Sequence, residues 1–599
     1  MPDRSQIPAE DKWRLEDIYP SIDAWEKDFA QVQQTLPRFR TFQGHLAEAD
    51  GATLLSCLTL RDQVEETFER LFTFARMRRD EDNTNPTYQA LAERAEGLGV
   101  QLGEATSFIV PEILTIPEDE LRRFGQTQPG LAVYTHFLDE LLRQKAHTLS
   151  TPEERLLALA GELIQAPDQI FTMLNDADLR FPSIVDEQGR SVELTKGRYI
   201  RFLESQERRV RKDAFQALYA TYGALKNSWA AVLGAQVKRD IFIARARRYP
   251  NALTASLDDD NVPVEVYDNL IETVHQKLPL LHQYVQLRKE VLRLDELHMY
   301  DLYTPLVPAV QMKVPYEKAK EIALEALQPL GQEYLKTFRE GLHSGWIDVW
   351  ENRGKTAGAY SWGAYRVHPF VLLNYQSTLD DLFTLVHEMG HSLHTYYTQT
   401  TQPFIYSHYR IFVAEVASTL NEALLVHYLL TTLTDRDERL YVLNHYLEEF
   451  RGTLYRQTMF AEFEKLIHEH AERGGALTAD WLNQTYYALN QRYFGSQIVI
   501  DPEIAWEWAR IPHFYMNFYV YKYATGFSAA IALSQQILKE GEPAVQRYLK
   551  FLRSGSSDYP LNLLAAAGVD MRSPEPVRQA LDLFGQLLDE MRTAMVGRG

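Results

Sequence analysis

The sequence is short of cysteine, of linker-like stretches, of long apolar runs and of positive charge, and each shortage excludes something. Cys57 is the only cysteine among 599 residues, so no intrachain disulfide and no thiolate zinc site can form. That fits a reducing compartment, and a cytoplasmic location is expected. No apolar run approaches the ~18 residues of a membrane span, and residues 1–21, MPDRSQIPAEDKWRLEDIYPS, lack the apolar stretch of a secretory signal. The 26 prolines and 30 glycines are scattered, with no Ser/Gly/Pro-rich linker, internal repeat or low-complexity tract, which predicts one large body of one or two lobes. Lys and Arg number 62 against 82 Asp and Glu, a net charge of -20, and such a surface repels phosphate backbones and anionic lipid. Nucleic acid and membrane are poor partners for it, and no obligate protein partner is inferred.

What the chain has in quantity is helical periodicity. From Pro315, Ala319, Ile322, Ala323, Ala326, Leu327 and Leu330 fall on one face, and similar amphipathic stretches recur over 65–116, 152–174, 207–249 and 264–294. Strand signals are few. Two short runs within 179–194 flank Asp186-Glu187-Gln188-Gly189, a turn composition suited to a hairpin. Val349, Tyr365, Val367 and 371–373 lie among Gly354, Gly358 and Gly363 and predict a small sheet. The expected class is mostly α, divided near residue 200 into an N-terminal helical region ending in the hairpin (1–200) and a catalytic region (201–599).

Residues 387–391 read His-Glu-Met-Gly-His within a segment that announces a helix. Ser377 with Asp380 offers a capping pair, and Leu379, Leu382, Phe383, Val386, Met389 and Leu393 supply an apolar face. At about 100° per residue, His387 and His391 are only ~40° apart around the helix, so both imidazoles can reach one metal ion. Glu388 is offset enough to address a water rather than to ligate. A catalytic zinc ion needs a third protein ligand. The longer signature that adds glycine and a third histidine is closed, because positions 394 and 397 are His394 and Tyr397. On the apolar stretch 411–430, Glu415, Ser418 and Glu422 share one face. A carboxylate in such a run is costly to bury unless paired or metal-bound, so Glu415 is the expected third ligand. Glu422 is the competing choice, read as a partner of a ligand.

The pentapeptide followed by Phe412-Val413-Ala414-Glu415-Val416-Ala417-Ser418-Thr419-Leu420-Asn421-Glu422 resembles the oligoendopeptidase F branch of the M3 zinc metallopeptidases. So do 12–21, 297–306, 354–375, 509–530 and 554–571, which span nearly the whole chain. The resemblance implies a two-lobed helical fold enclosing a deep channel, with a small sheet beside the zinc helix. It implies one Zn2+ per chain on His387, His391 and Glu415, with Glu388 as general base. It further places His513, Tyr519 and Tyr523 near the scissile carbonyl, Tyr515 and Tyr521 being close alternatives in register. The strand around Gly358, Ala359 and Tyr360 is the expected binding edge for an extended peptide. The implied activity is cleavage of internal bonds in short unstructured oligopeptides. A metallocarboxypeptidase on a related helical fold is the alternative enzyme, and a helical peptide-binding protein the alternative of another class. His394, His408 and His427 are read as structural or surface residues.

Overall fold

The computed structural model describes residues 1–307 and 312–596. Most of them are helical, as the periodicity predicts, and seven short strands form three small sheets. The hairpin is β1 (Ser183–Val185) against β2 (Ser191–Glu193), closed by a turn in which Gly189 has φ +77°. β3 (Leu297–His298) pairs with β7 (Ile498–Val499) in parallel. The third sheet joins β4 (Ile347–Asp348), β5 (Tyr360–Trp362) and β6 (Phe370–Leu372) in the order β4-β6-β5, parallel on one side and antiparallel on the other. Val349, Tyr365 and Val367 lie outside these strands, so the sheet is shorter than its β-branched and aromatic residues suggest.

The chain divides into two compact units. The first comprises 1–148, 312–428 and 533–569, the second 149–311, 429–532 and 570–599. In the first unit the N-terminal segment and α1 (Gly51–Glu81) build an apolar cluster containing Trp13, Trp25, Cys57 and Phe74, and Phe370 and Leu372 of β6 belong to the same cluster. The buried Asp348 of β4 is neutralised by Lys355 at 2.7 Å and Arg4 at 2.6 Å, which ties the first turn of the chain to the sheet. A buried carboxylate left without these cations would cost several kcal/mol. β6, the central strand, is buried along its length, and β4 and β5 are the two edges.

Two further helices of this unit carry the chemistry, α2 (Leu379–Thr401) and α3 (Ala414–Thr432). The cap of α2 differs from the one expected. Thr378 is the N-cap, donating to Asp381 at 2.6 Å and accepting from its N–H at 3.1 Å. Ser377 cannot serve, because its φ of +65° lies outside the extended region an N-cap uses. Both pairs satisfy the same four-residue pattern, and the turn before the helix decides between them.

The second unit is packed around fully buried Trp229, Tyr267, Tyr284, Tyr486 and Trp508. Within it α4 (Arg456–Glu472) and the short turns Pro502–Arg510 and Pro512–Tyr515 precede α5 (Tyr521–Glu540), whose first turns belong here.

Candidate metal centre and a histidine-tyrosine cluster

On α2 the four-residue spacing brings His387 Nε2 to 3.2 Å from His391 Nε2. The Oε2 of Glu415, in the first turn of α3, lies 3.4 Å from the former and 3.3 Å from the latter. Ligands ~2.05 Å from a tetrahedral ion stand about 3.3 Å apart, so the three atoms already describe one face of such a site. Two nitrogens and a carboxylate oxygen are also the donor set that zinc accepts, and they are the one group of this kind found among the described residues.

The close approach of the helices depends on Gly390. A Cβ there would meet Ser418 Cα at 2.7 Å and Ala417 O at 2.8 Å, distances no side chain tolerates. Asn421 fastens the same contact, donating to Val386 O at 3.3 Å and accepting from the Tyr334 hydroxyl at 2.9 Å. The glycine sits in plain view in the pentapeptide, but only the packing reveals its purpose.

Glu422, on the same face of α3, bonds His387 Nδ1. This fixes the ring so that Nε2 faces the ligand triangle, the arrangement in which a carboxylate orients a metal-binding imidazole. Ser418 Oγ donates to Glu415 Oε2 at 2.9 Å. Burial disfavours charge on His387, yet the carboxylates of Glu415 and Glu422 outweigh it and raise its pKa well above the ordinary value. Burial likewise opposes ionisation of Glu415, and the two imidazoles hold its pKa far below the carboxylate range. The carboxylate and the two imidazoles thus favour one another's charged forms. Glu388 is 8% exposed and, chiefly through burial, titrates above an ordinary glutamate. His394 is buried and stacked on Tyr409 at 3.7 Å, its pKa pushed down to about 3 by burial.

The edge strand β5 meets α2 directly. Ser361 Oγ lies 2.8 Å from Ser392 Oγ, one residue beyond His391. Gly358 is exposed with φ +86°, and its carbonyl accepts from Asn374 Nδ2 at 2.8 Å. Ala359 follows half-buried, and the Tyr360 hydroxyl donates to Asp80 at 2.8 Å. The Tyr360 side chain is thus engaged within the unit, and its main chain is what the edge can offer.

His513, Tyr519 and Tyr523 belong to the second unit, where they form a cluster of their own. Tyr523 Oη lies 3.3 Å from His513 Nε2, and the ring centroids are 6.0, 5.7 and 5.3 Å apart. All three are half-buried, whereas Tyr515 stacks on Phe171 at 4.3 Å and Tyr521 is fully buried. Burial lowers the His513 pKa, favouring the neutral ring. Asn517 (φ +49°) and Phe518 (φ +59°), two consecutive left-handed residues, break the helical periodicity ahead of Tyr519. Glu464 holds this kink, accepting from Phe518 N–H at 2.6 Å, and Ser256 Oγ donates to Asn517 O at 2.7 Å. Glu464 carried no signal in the sequence, being one of many glutamates on a helix.

Residues 201–583 match the family described as peptidase family M3, and residues 112–181 match oligopeptidase F. Oligopeptidase PepF of Bacillus subtilis is 53% identical over 596 residues, covering 100% of this chain and 89% of the relative. Among solved structures, a Chlamydophila abortus protein covers 99% of this chain and 100% of its own at TM-score 0.93 and 35% identity. Oligoendopeptidase-F from Enterococcus faecium covers 96% and 99% at TM-score 0.76 and 40% identity. The chain belongs to peptidase family M3 and is an endopeptidase of the oligoendopeptidase F branch. Membership of this metallopeptidase family implies a metal ion, and the His387, His391 and Glu415 triangle is the donor set present for it. No described helix is long and apolar enough to cross a membrane.

Proposed function

We propose that the chain is a zinc-dependent oligoendopeptidase that hydrolyses internal bonds of short unstructured peptides. The observation that carries this reading is the ligand triangle of 3.2, 3.4 and 3.3 Å, with Glu422 orienting His387 from behind. When bound, zinc supplies a Lewis acid that polarises the scissile carbonyl and lowers the pKa of a water towards ~7.

Glu388 is the general base. It follows His387 on the same turn, and the charged groups acting on its carboxylate are His387, His391, Glu415 and Glu422. It takes the proton of the attacking water and returns it to the leaving amine. Its burial raises its proton affinity above that of an ordinary glutamate, the direction a base requires. To His513, Tyr519 and Tyr523 we assign stabilisation of the negative charge that develops on the carbonyl oxygen. Hydroxyl and imidazole donors act there most strongly in the transition state. The main chain from Gly358 through Ala359 to Tyr360 takes the substrate backbone as an added strand, consistent with the position of β5 at the sheet edge. Only a polypeptide free of its own secondary structure can pair in that way.

The test offers one cleavable sequence as an end-blocked peptide, as a free peptide and within a rigid loop of a folded domain, with and without a chelator. Internal cleavage of both peptides, none of the folded domain, and loss of activity that zinc restores are expected. Cleavage confined to the free C-terminus would establish the metallocarboxypeptidase instead. Chelator-insensitive turnover would remove the metal from the mechanism, and comparable rates on the folded domain would discard strand addition.

A further inference from the structure

The main chain between His513 and Tyr523 holds its shape against its own preference. Asn517 and Phe518 are both left-handed, and for phenylalanine the Cβ disfavours that region. Phe518 is fully buried, its ring centroid 4.4 Å from that of His468 and 6.0 Å from that of Tyr267. Burial fixes the ring, but the main chain before it needs partners of its own.

Three side chains from three helices supply them. Gln236, on the helix Lys226–Ala246, donates from Nε2 to Tyr515 O at 3.3 Å. Ser256, on the helix Ala252–Asp258, donates to Asn517 O at 2.7 Å, and Glu464 of α4 accepts from Phe518 N–H at 2.6 Å. The Gln236 amide is itself oriented, because its Nε2 lies 3.2 Å from both carboxylate oxygens of Asp240 and the reversed amide would set an oxygen against them. Asp240 is held in turn by His468 Nε2 and Arg239, each at 3.3 Å. Gln236, Asp240, Glu464 and His468 are all buried, so bulk water does not compete for these bonds. Beyond the kink, Lys522 pairs with the buried Asp260 at 2.7 Å. A cation in the first turn of a helix opposes the helix dipole, and this carboxylate keeps it there.

We infer that Gln236, Ser256 and Glu464 are positioning residues for the peptidase reaction, which hold the main chain between His513 and Tyr519 and thereby the arrangement of His513, Tyr519 and Tyr523. The inference rests on the role proposed for that cluster. The three bonds fall on residues 515, 517 and 518, inside the connection 514–518, where a change in one dihedral carries Tyr519 and Tyr523 away from His513. Tyr523 Oη and His513 Nε2 are 3.3 Å apart, and a displacement of ~1 Å at such groups can cost about 10² in rate. Groups that align transition-state donors without binding the ground state act on kcat rather than KM.

The test measures kcat, KM, bound metal and melting temperature for the full chain and its variants. Glu464→Leu should lower kcat about tenfold, with metal content unchanged and KM within about twofold of the parent. Glu464→Gln, whose amide oxygen can accept the same bond, should recover most of that loss. Ser256→Ala, a small truncation at a half-buried position, should lower kcat about fivefold and answers the question even where Glu464→Leu fails to fold. Tyr523→Phe separates positioning from bulk stability. In that background either change should cost fewer fold than in the parent, because part of what it aligns is already gone. Losses that multiply in full overturn the inference and leave the role of the cluster standing, as does a parent-like kcat in Ser256→Ala. A parent-like kcat in Tyr523→Phe itself would remove the role of the cluster, and the inference with it.

Discussion

His387, His391 and Glu415 stand on regular helices, whereas His513, Tyr519 and Tyr523 are spread over a short turn, a left-handed kink and the first turn of α5. The first group owes its geometry to helical periodicity and one glycine contact, and its carboxylate and imidazoles favour one another's charged forms. The second cluster owes its geometry to strain, since Phe518 occupies a region that a bulky residue rarely visits and is kept there by Glu464 and Ser256. A site built on regular backbone is stable by construction and legible by pattern. One built on a kink depends on groups far away in sequence.

Glu388→Gln should break the comparison on the metal side most severely. It removes the proposed base and leaves all three ligands, so turnover is expected to fall by about 10³ to 10⁴ while metal content stays stoichiometric. Elemental analysis beside a peptidase assay checks both, and normal turnover with full metal would discard the assignment. On the other side, Tyr523→Phe should lower kcat by about 10² with KM little changed, the signature of a contact made mainly in the transition state. A parallel fall in kcat and melting temperature would mark Tyr523 as packing.

Glu422→Gln sharpens the metal half. The amide can no longer accept as a charged partner of His387 Nδ1, so metal affinity should drop roughly 10- to 100-fold in a chelator competition, with activity recovered at excess zinc. Unchanged affinity would reduce Glu422 to a neighbour.

The same contrast explains what the sequence could disclose. The grouping of His387, His391 and Glu415 and the Glu422 contact are legible from spacings of three and four on apolar helices, which local chemistry dictates. The hairpin at 183–193 followed from its turn residues. The cap of α2 was missed by one residue, because Ser377-x-x-Asp380 and Thr378-x-x-Asp381 satisfy the same rule and only the backbone turn at Ser377, whose carbonyl accepts from Val314 N–H at 2.9 Å, chooses between them. Tyr519 and Tyr523 are the sequence's candidates, but Tyr515 and Tyr521 stay close in register, since consecutive positive φ values at Asn517 and Phe518 cancel any count of residues per turn.

The smallest expected effect concerns the support of that kink, and it is a matter of protons. Glu464 is buried and accepts from Phe518 N–H through Oε1, while its Oε2 has no partner. Burial pushes its pKa up to about 8, against an ordinary value of 4.5, with nearby His468 pulling the other way. In that interval the folded chain keeps a proton that the unfolded chain releases. The stabilisation is therefore complete below the ordinary pKa and is lost as pH rises through the raised one. Glu464→Gln cannot titrate, yet its amide oxygen can accept the same bond from Phe518. The variant should match the parent near pH 5 and melt about 1 to 3 °C higher near pH 9. His468, whose pKa burial lowers but Asp240 raises further, also feels Glu464, so its imidazole titration is followed by NMR in both proteins beside the melting profiles. A difference that is constant across the range would show that Glu464 is ionised in the fold, and that the kink is held by a charged carboxylate rather than a neutral one.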